Sequence, residues 1–129
     1  MNLLLDTQVL LWFVLDDPRL SKKAVDKIVA VERVVFVSPA SLWEIAIKIS
    51  LGKYKLSEDF QQFWDKQLYF NDFKLLPVSI AHTSLVAELP YHHRDPFDRL
   101  IIAQSLVEMV PVVSSDTMFD SYAGVKRIW

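Results

Sequence analysis

Short apolar runs alternate with helical patterns from one end of the chain to the other, at residues 3–5, 34–37, 75–78, 111–114 and 125–128. Runs this short and this apolar suit strands buried on both faces, which pair in parallel. Parallel neighbours cannot be joined by a tight hairpin, so each connection has to cross the sheet, usually through a helix. The intervals supply those helices. Thr7 can cap a helix over residues 8–15 that ends before Asp17-Pro18. Leu20, Val25, Ile28 and Val29 recur at helical spacing around residues 21–31. Ser38-Pro39 opens a helix that Gly52 closes near residue 51. Ser57 can cap the next one, with Glu58 and Asp59 in its first turn and Phe60, Phe63, Trp64 and Leu68 along one side. Residues 79–89 read as a helix stopped by Pro90, residues 96–110 as another, and residues 118–123 as a short one before the last strand. The expected fold is α/β, a three-layer α/β/α sandwich around a central, mainly parallel sheet of four to five strands.

At 129 residues the chain has the length of one domain, spanning residues 1–129. An apolar fraction of 52%, 23% charged residues and only two glycines argue against disorder and against a turn-rich all-β chain. No cysteine is present, which excludes a disulfide framework and a thiolate zinc site and fits an intracellular location. The opening MNLLLDTQVLLWFVLDD lacks the basic start and small-residue cleavage site of a signal peptide, and Asp6 interrupts it. Its longest apolar run, residues 9–15, falls far short of the roughly 20 residues a membrane span needs. A soluble, cytoplasmic protein is expected. A net charge of −2 gives no bulk attraction to nucleic acid, so any such binding has to use local clusters of Lys and Arg.

In open α/β sheets the functional crevice lies beyond the carboxyl ends of the strands. Asp6 follows the first strand run and Asp116 the fourth, while Glu44 and Asp98 fall in the first two turns of helices that leave the sheet. If those helices start from one edge, four carboxylates converge. Two like charges roughly 5 Å apart at an effective dielectric near 20 repel by about 3 kcal/mol, so such a cluster has to take up protons or a divalent cation. An all-oxygen donor set points to Mg2+ or Mn2+, and the site then suits phosphodiester chemistry. Each acid also has a local reading. Asp95-Pro96-Phe97-Asp98 is a good helix start in itself. Glu44 and Lys48 can form a solvated pair four residues apart, Asp6 can cap a helix, and Asp116 can belong to a Ser-Ser-Asp-Thr turn.

Four segments in order, LLLDTQVLLWF, SLWEIAIK, DPFDRLIIAQ and VVSSDTMFD, resemble the PIN-domain ribonucleases, and the compact length resembles the VapC-type toxins of bacterial toxin-antitoxin pairs. The resemblance runs from residue 3 to the C-terminus. It implies a PIN-like fold and a Mg2+- or Mn2+-dependent endoribonuclease whose acids are Asp6, Glu44, Asp98 and Asp116. Asp98 matches the family acid because it directly precedes the apolar helical run, which leaves Asp95 as a cap or an outer partner. Ser114 matches a small hydroxyl residue of the family, Thr7 can orient the neighbouring Asp6, and Asp120 is a further acid of lower rank. The implied chemistry is in-line attack of water on an RNA phosphodiester, leaving 5′-phosphate and 3′-hydroxyl ends, with the acids as metal ligands. Lys48, Arg94 and Arg99, with Lys53 and Lys55, are the candidate phosphate contacts. His92 and His93 read chiefly as exposed loop residues.

The resemblance also implies a homodimer and a small antitoxin protein that crosses a groove and blocks the acidic pocket, operator binding falling to the antitoxin. Trp12, Phe13, Trp43 and Trp64 either fill the core or line such an exposed groove and dimer patch. Two other readings compete. One is a receiver- or phosphatase-like domain with a phosphorylated aspartate, which needs a lysine after a late strand where this chain has Ser114, Ser115 and Asp116. The other is a catalytically silent PIN-like module that binds RNA or protein.

Overall fold

The computed structural model describes residues 2–129. Five parallel strands, β1 (Leu3–Leu5), β2 (Val35–Val37), β3 (Phe73–Leu75), β4 (Val112–Val113) and β5 (Arg127–Ile128), form one sheet in the order β3-β2-β1-β4-β5. Six helices fill the crossovers: α1 (Thr7–Val14), α2 (Lys22–Val29), α3 (Pro39–Ser50), α4 (Phe60–Phe70), α5 (Ile80–Val86) and α6 (Pro96–Glu108). A 3₁₀ turn, Thr117–Ser121, joins β4 to β5. The three-layer architecture with a parallel central sheet is as the alternation of apolar runs requires.

Strand β1 shows why there are two helical layers. Side chains alternate faces along a strand, so Leu3 and Leu5 join Val35, Val37, Phe73, Val9, Leu10 and Trp64 in one apolar cluster, while Leu4 joins Val112, Ile101, Ile102 and Phe119 in the other. Helices α1 to α4 pack on the first face, α5 and α6 on the second. Right-handed crossovers account for the division: the chain steps outward from β1 to β3 with its helices on one side, then returns to β4 with them on the other. The direction of stepping reverses between β1 and β4, so a crevice opens beyond their carboxyl ends.

Several boundaries differ from the sequence expectation. Asp6, not Thr7, caps α1, its side chain accepting from the Val9 N–H. Asp59, not Ser57, caps α4. The third strand starts at Phe73, where its ring packs against Phe13 at 5.4 Å, and ends as Pro77 removes a backbone donor. Helix α6 stops at Met109, which turns left-handed (φ 57). The aromatic residues divide between the two expectations: Trp64 is buried, Trp12 and Phe13 are half-buried, and Trp43 stands 63% exposed with its ring edge-on to Phe97 at 5.2 Å. No described helix is long and apolar enough to cross a membrane.

Candidate functional site

Asp6 is the first residue beyond β1, and its own N–H still donates to Val113 O (3.2 Å), extending the ladder with β4. Its Oδ1 accepts the Val9 N–H at 2.7 Å as α1 begins. The carboxyl is buried, and burial pushes it from 3.8 up to about 6, against the opposing hydrogen bonds from Ser114 and Val9 and with the charges of Asp116 and Glu44 adding to the rise. Asp98 reaches about 7. Burial is the largest cause, followed by the negative charges of Asp95, Asp6, Glu44 and Asp116. Asp95 does the capping of α6, its Oδ1 accepting the N–H groups of Phe97 (2.8 Å) and Asp98 (3.2 Å). Asp98 is thereby free of that duty, one turn in.

Glu44 comes from the second turn of α3, where Ser38 caps the helix and Pro39 starts it. It is buried, with Lys48 Nζ 3.0 Å from its Oε2. Asp116 follows β4. Its N–H donates to Ser114 Oγ (3.0 Å), its Oδ1 accepts the Met118 N–H (2.9 Å) to cap the 3₁₀ turn, and its Oδ2 lies 2.8 Å from His93 Nε2. All four acids, together with Asp95, Thr7, Lys48 and Tyr54, line one cavity of about 250 Å3. Five carboxyl groups thus face a single ammonium, and their mutual repulsion adds to the effect of burial in displacing Asp6 and Asp98 upward.

A PIN domain family model matches residues 3–125, nearly the whole chain, and its span takes in all four acids. The chain belongs to the PIN-domain family. Solved structures with the same fold include VapBC2 from Rickettsia felis bound to a DNA fragment from its promoter (TM-score 0.75, 19% identity, 99% of this chain and 98% of that one). FitAcB from Neisseria gonorrhoeae is similar as well (TM-score 0.68, 18% identity, 98% and 96%). So is VapBC-5 from Mycobacterium tuberculosis, a member of the VapBC family of toxin-antitoxin systems (TM-score 0.61, 20% identity, 98% and 97%). Among curated proteins no sequence match is found.

The remaining candidates scatter in this PIN domain. Ser114 is buried beside the acids and bonds Asp6 and Asp116. The Thr7 hydroxyl donates to Ser41 Oγ on α3 (3.0 Å) and so ties α1 to α3; Asp6 is oriented by Val9 and Ser114 instead. Asp120 turns away from the cavity into a two-pronged pair with Arg127, 3.0 Å on both contacts. Arg94 is exposed and outside the cavity lining. Arg99 departs furthest from expectation. Only 4% exposed, its guanidinium donates to the carbonyls of Val86, Leu89 and Pro90 at 3.0, 3.1 and 2.8 Å, which leaves it no reach to a phosphate.

His93 was not legible as a site residue. The loop residue is 9% exposed, stacks on Tyr122 and reaches Asp116. Nothing in the local pattern HHRDP marks it, because both partners lie more than 20 residues further along the chain. His92, beside it, is exposed as expected.

Proposed function

We propose that this PIN domain is a Mg2+- or Mn2+-dependent endoribonuclease, the toxin of a VapBC-type toxin-antitoxin pair. The observation that carries the reading is the convergence of Asp6, Glu44, Asp98 and Asp116 on one cavity at the carboxyl edge of the sheet. The donor set fits a hard divalent cation: it is all carboxylate, partly buried, and richer in negative charge than Lys48 can balance. Asp6, Asp98, Asp116 and Glu44 would hold the ion. When bound, it would make an attacking water more acidic and offset charge on the phosphoryl oxygens.

The chain's own residues have separable tasks. Ser114 holds Asp6, and the Asp95 cap keeps the first turn of α6, and with it Asp98, in place. Lys48, held by Glu44, is a cation at the cavity wall for the phosphate of an RNA strand. Water would then enter in line and leave 5′-phosphate and 3′-hydroxyl ends. The fold shared with the VapBC toxin-antitoxin proteins supports a small antitoxin as partner; a homodimer as the working form and the cytoplasm as the place of action belong to the same proposal.

The test is cleavage of single-stranded RNA by the purified protein with Mg2+, with Mn2+ and with EDTA. Expected is metal-dependent cutting that Asp6→Asn and Asp98→Asn reduce at least about 100-fold without loss of fold. A folded wild-type protein that cuts equally well in EDTA would refute the metal-dependent mechanism. A protein that binds RNA but never cuts it would favour the silent-module reading. Co-expression with the product of an adjacent small reading frame tests the toxin assignment separately, a stable inhibited complex being the expected result.

A further inference from the structure

His93 joins the two halves of the acid cavity, since its loop leads into α6, which carries Asp98, while its ring reaches the segment after β4, which carries Asp116. One donor atom from each of His93, Asp98 and Asp116 lies within 4.8 Å of the others, so the imidazole has two possible roles: a direct metal ligand or a group that acts through Asp116. The hydrogen bonds decide between them. The Tyr122 hydroxyl accepts the His93 backbone N–H at 2.9 Å, which leaves its own hydrogen free for His93 Nδ1 at 3.1 Å. A neutral ring that accepts at Nδ1 carries its hydrogen on Nε2. Nε2 is 2.8 Å from Asp116 Oδ2, and an ionised carboxylate can only accept. In this tautomer Nε2 has no lone pair left for a metal.

We infer that His93 is a positioning residue: its Nε2–H holds the Asp116 carboxylate turned into the acid cavity, and the Tyr122 hydroxyl selects the tautomer that makes this possible. Asp116 is then gripped at both oxygens, Oδ2 by His93 and Oδ1 by the Met118 N–H at 2.9 Å, so its plane is set before any ion arrives. Packing locks the ring itself, stacked on Tyr122 at 5.5 Å and edge-on to Phe119 at 5.0 Å, with both partners buried. Outer partners of this kind typically change metal affinity by about 10- to 100-fold.

The inference rests on the acid cavity being a metal site, and the experiment separates the two. Nitrogen-15 spectra of the metal-free protein should show His93 protonated on Nε2 and bare on Nδ1, and added Mg2+ should leave Nε2–H in place. Calorimetric titration with Mn2+ should give about 10-fold or weaker binding in His93→Ala. His93→Gln should recover most of that loss, because its amide N–H2 reaches the Nε2 position. Tyr122→Phe should fall between them and show a mixed tautomer. Loss of Nε2–H on adding Mg2+ would make His93 a ligand and overturn the inference. So would wild-type Mn2+ affinity in folded His93→Ala, which would leave the metal site itself standing. A wild-type protein that binds no Mn2+ would remove the metal site and this role together. Should His93→Ala fail to fold, the wild-type spectra, His93→Gln and Tyr122→Phe carry the same decision.

Discussion

At the scale of single residues, the raised carboxyls couple stability to pH in an unusual direction. Asp6 and Asp98 titrate near 3.8 in the unfolded chain and at about 6 and about 7 in the fold. Between those values the native state binds more protons than the unfolded one, so stability present below about pH 4 is lost as pH rises towards about 7. In EDTA the melting temperature should fall across that window. Asp98→Asn should flatten the fall and melt higher than wild type at pH 7, while losing cleavage; an unchanged pH dependence in that variant would remove Asp98 as its source. Asp95→Asn separates cap from charge. Asn caps as well as Asp, so α6 should stay intact while the pKa of Asp98 drops, because Asp95 is the second-largest cause of its rise. A carboxyl titration followed by NMR reads that shift directly. Asp120→Asn should leave metal affinity untouched, since its carboxylate belongs to Arg127.

At the scale of elements, Arg99 shows how a residue beside the acid cavity can serve the fold alone. It projects from α6 across to the end of α5, where the last carbonyls of a helix have no partner within the helix. The guanidinium meets the carbonyl of Val86, the last residue of α5, and those of Leu89 and Pro90 in the loop beyond it, and carries the positive charge that a helix C-terminus favours. Its face also lies over the Tyr91 ring at 3.9 Å. Arg99→Met should therefore lower unfolding free energy by about 2–4 kcal/mol, as buried carbonyls lose a charged donor, while kcat/KM per folded molecule for RNA stays within a factor of about 2. A raised KM with undiminished stability would return Arg99 to substrate binding. His82 works in the same layer: its Nδ1 accepts the Ser79 N–H in the cap of α5, and its Nε2 meets Glu108 at the end of α6.

At the scale of the whole molecule, the strand order β3-β2-β1-β4-β5 gathers the acids. Asp6 and Asp116 leave neighbouring central strands, and α3 and α6 start from the same edge with Glu44 in the second turn of α3 and Asp98 in the first turn of α6. The repulsion among them opposes folding until protons or a cation relieve it. Mn2+ should therefore raise the melting temperature at pH 7.5, the unfolding free energy growing with the logarithm of its concentration to a gain of about 2.7 kcal/mol at 100 times the dissociation constant. Calorimetry should find that gain absent in Asp6→Asn. A gain of equal size in that variant would point to ion binding somewhere else on the surface.

The sequence by itself determined what depends on near neighbours. Apolar runs and helical spacing set the order of elements, Ser38-Pro39 and Asp95-Pro96 marked two helix starts, and the acids stood next to strand ends where a crevice forms. Only the tertiary structure decided which charge meets which. Asp120 found Arg127, Arg99 found the carbonyls at and just beyond the end of α5, Thr7 found Ser41, and His93 found Tyr122 and Asp116. Periodicity reports which face of an element is apolar, but a long polar side chain selects its partner from whatever packing has brought within about 3 Å, and that distance has no signature along the chain.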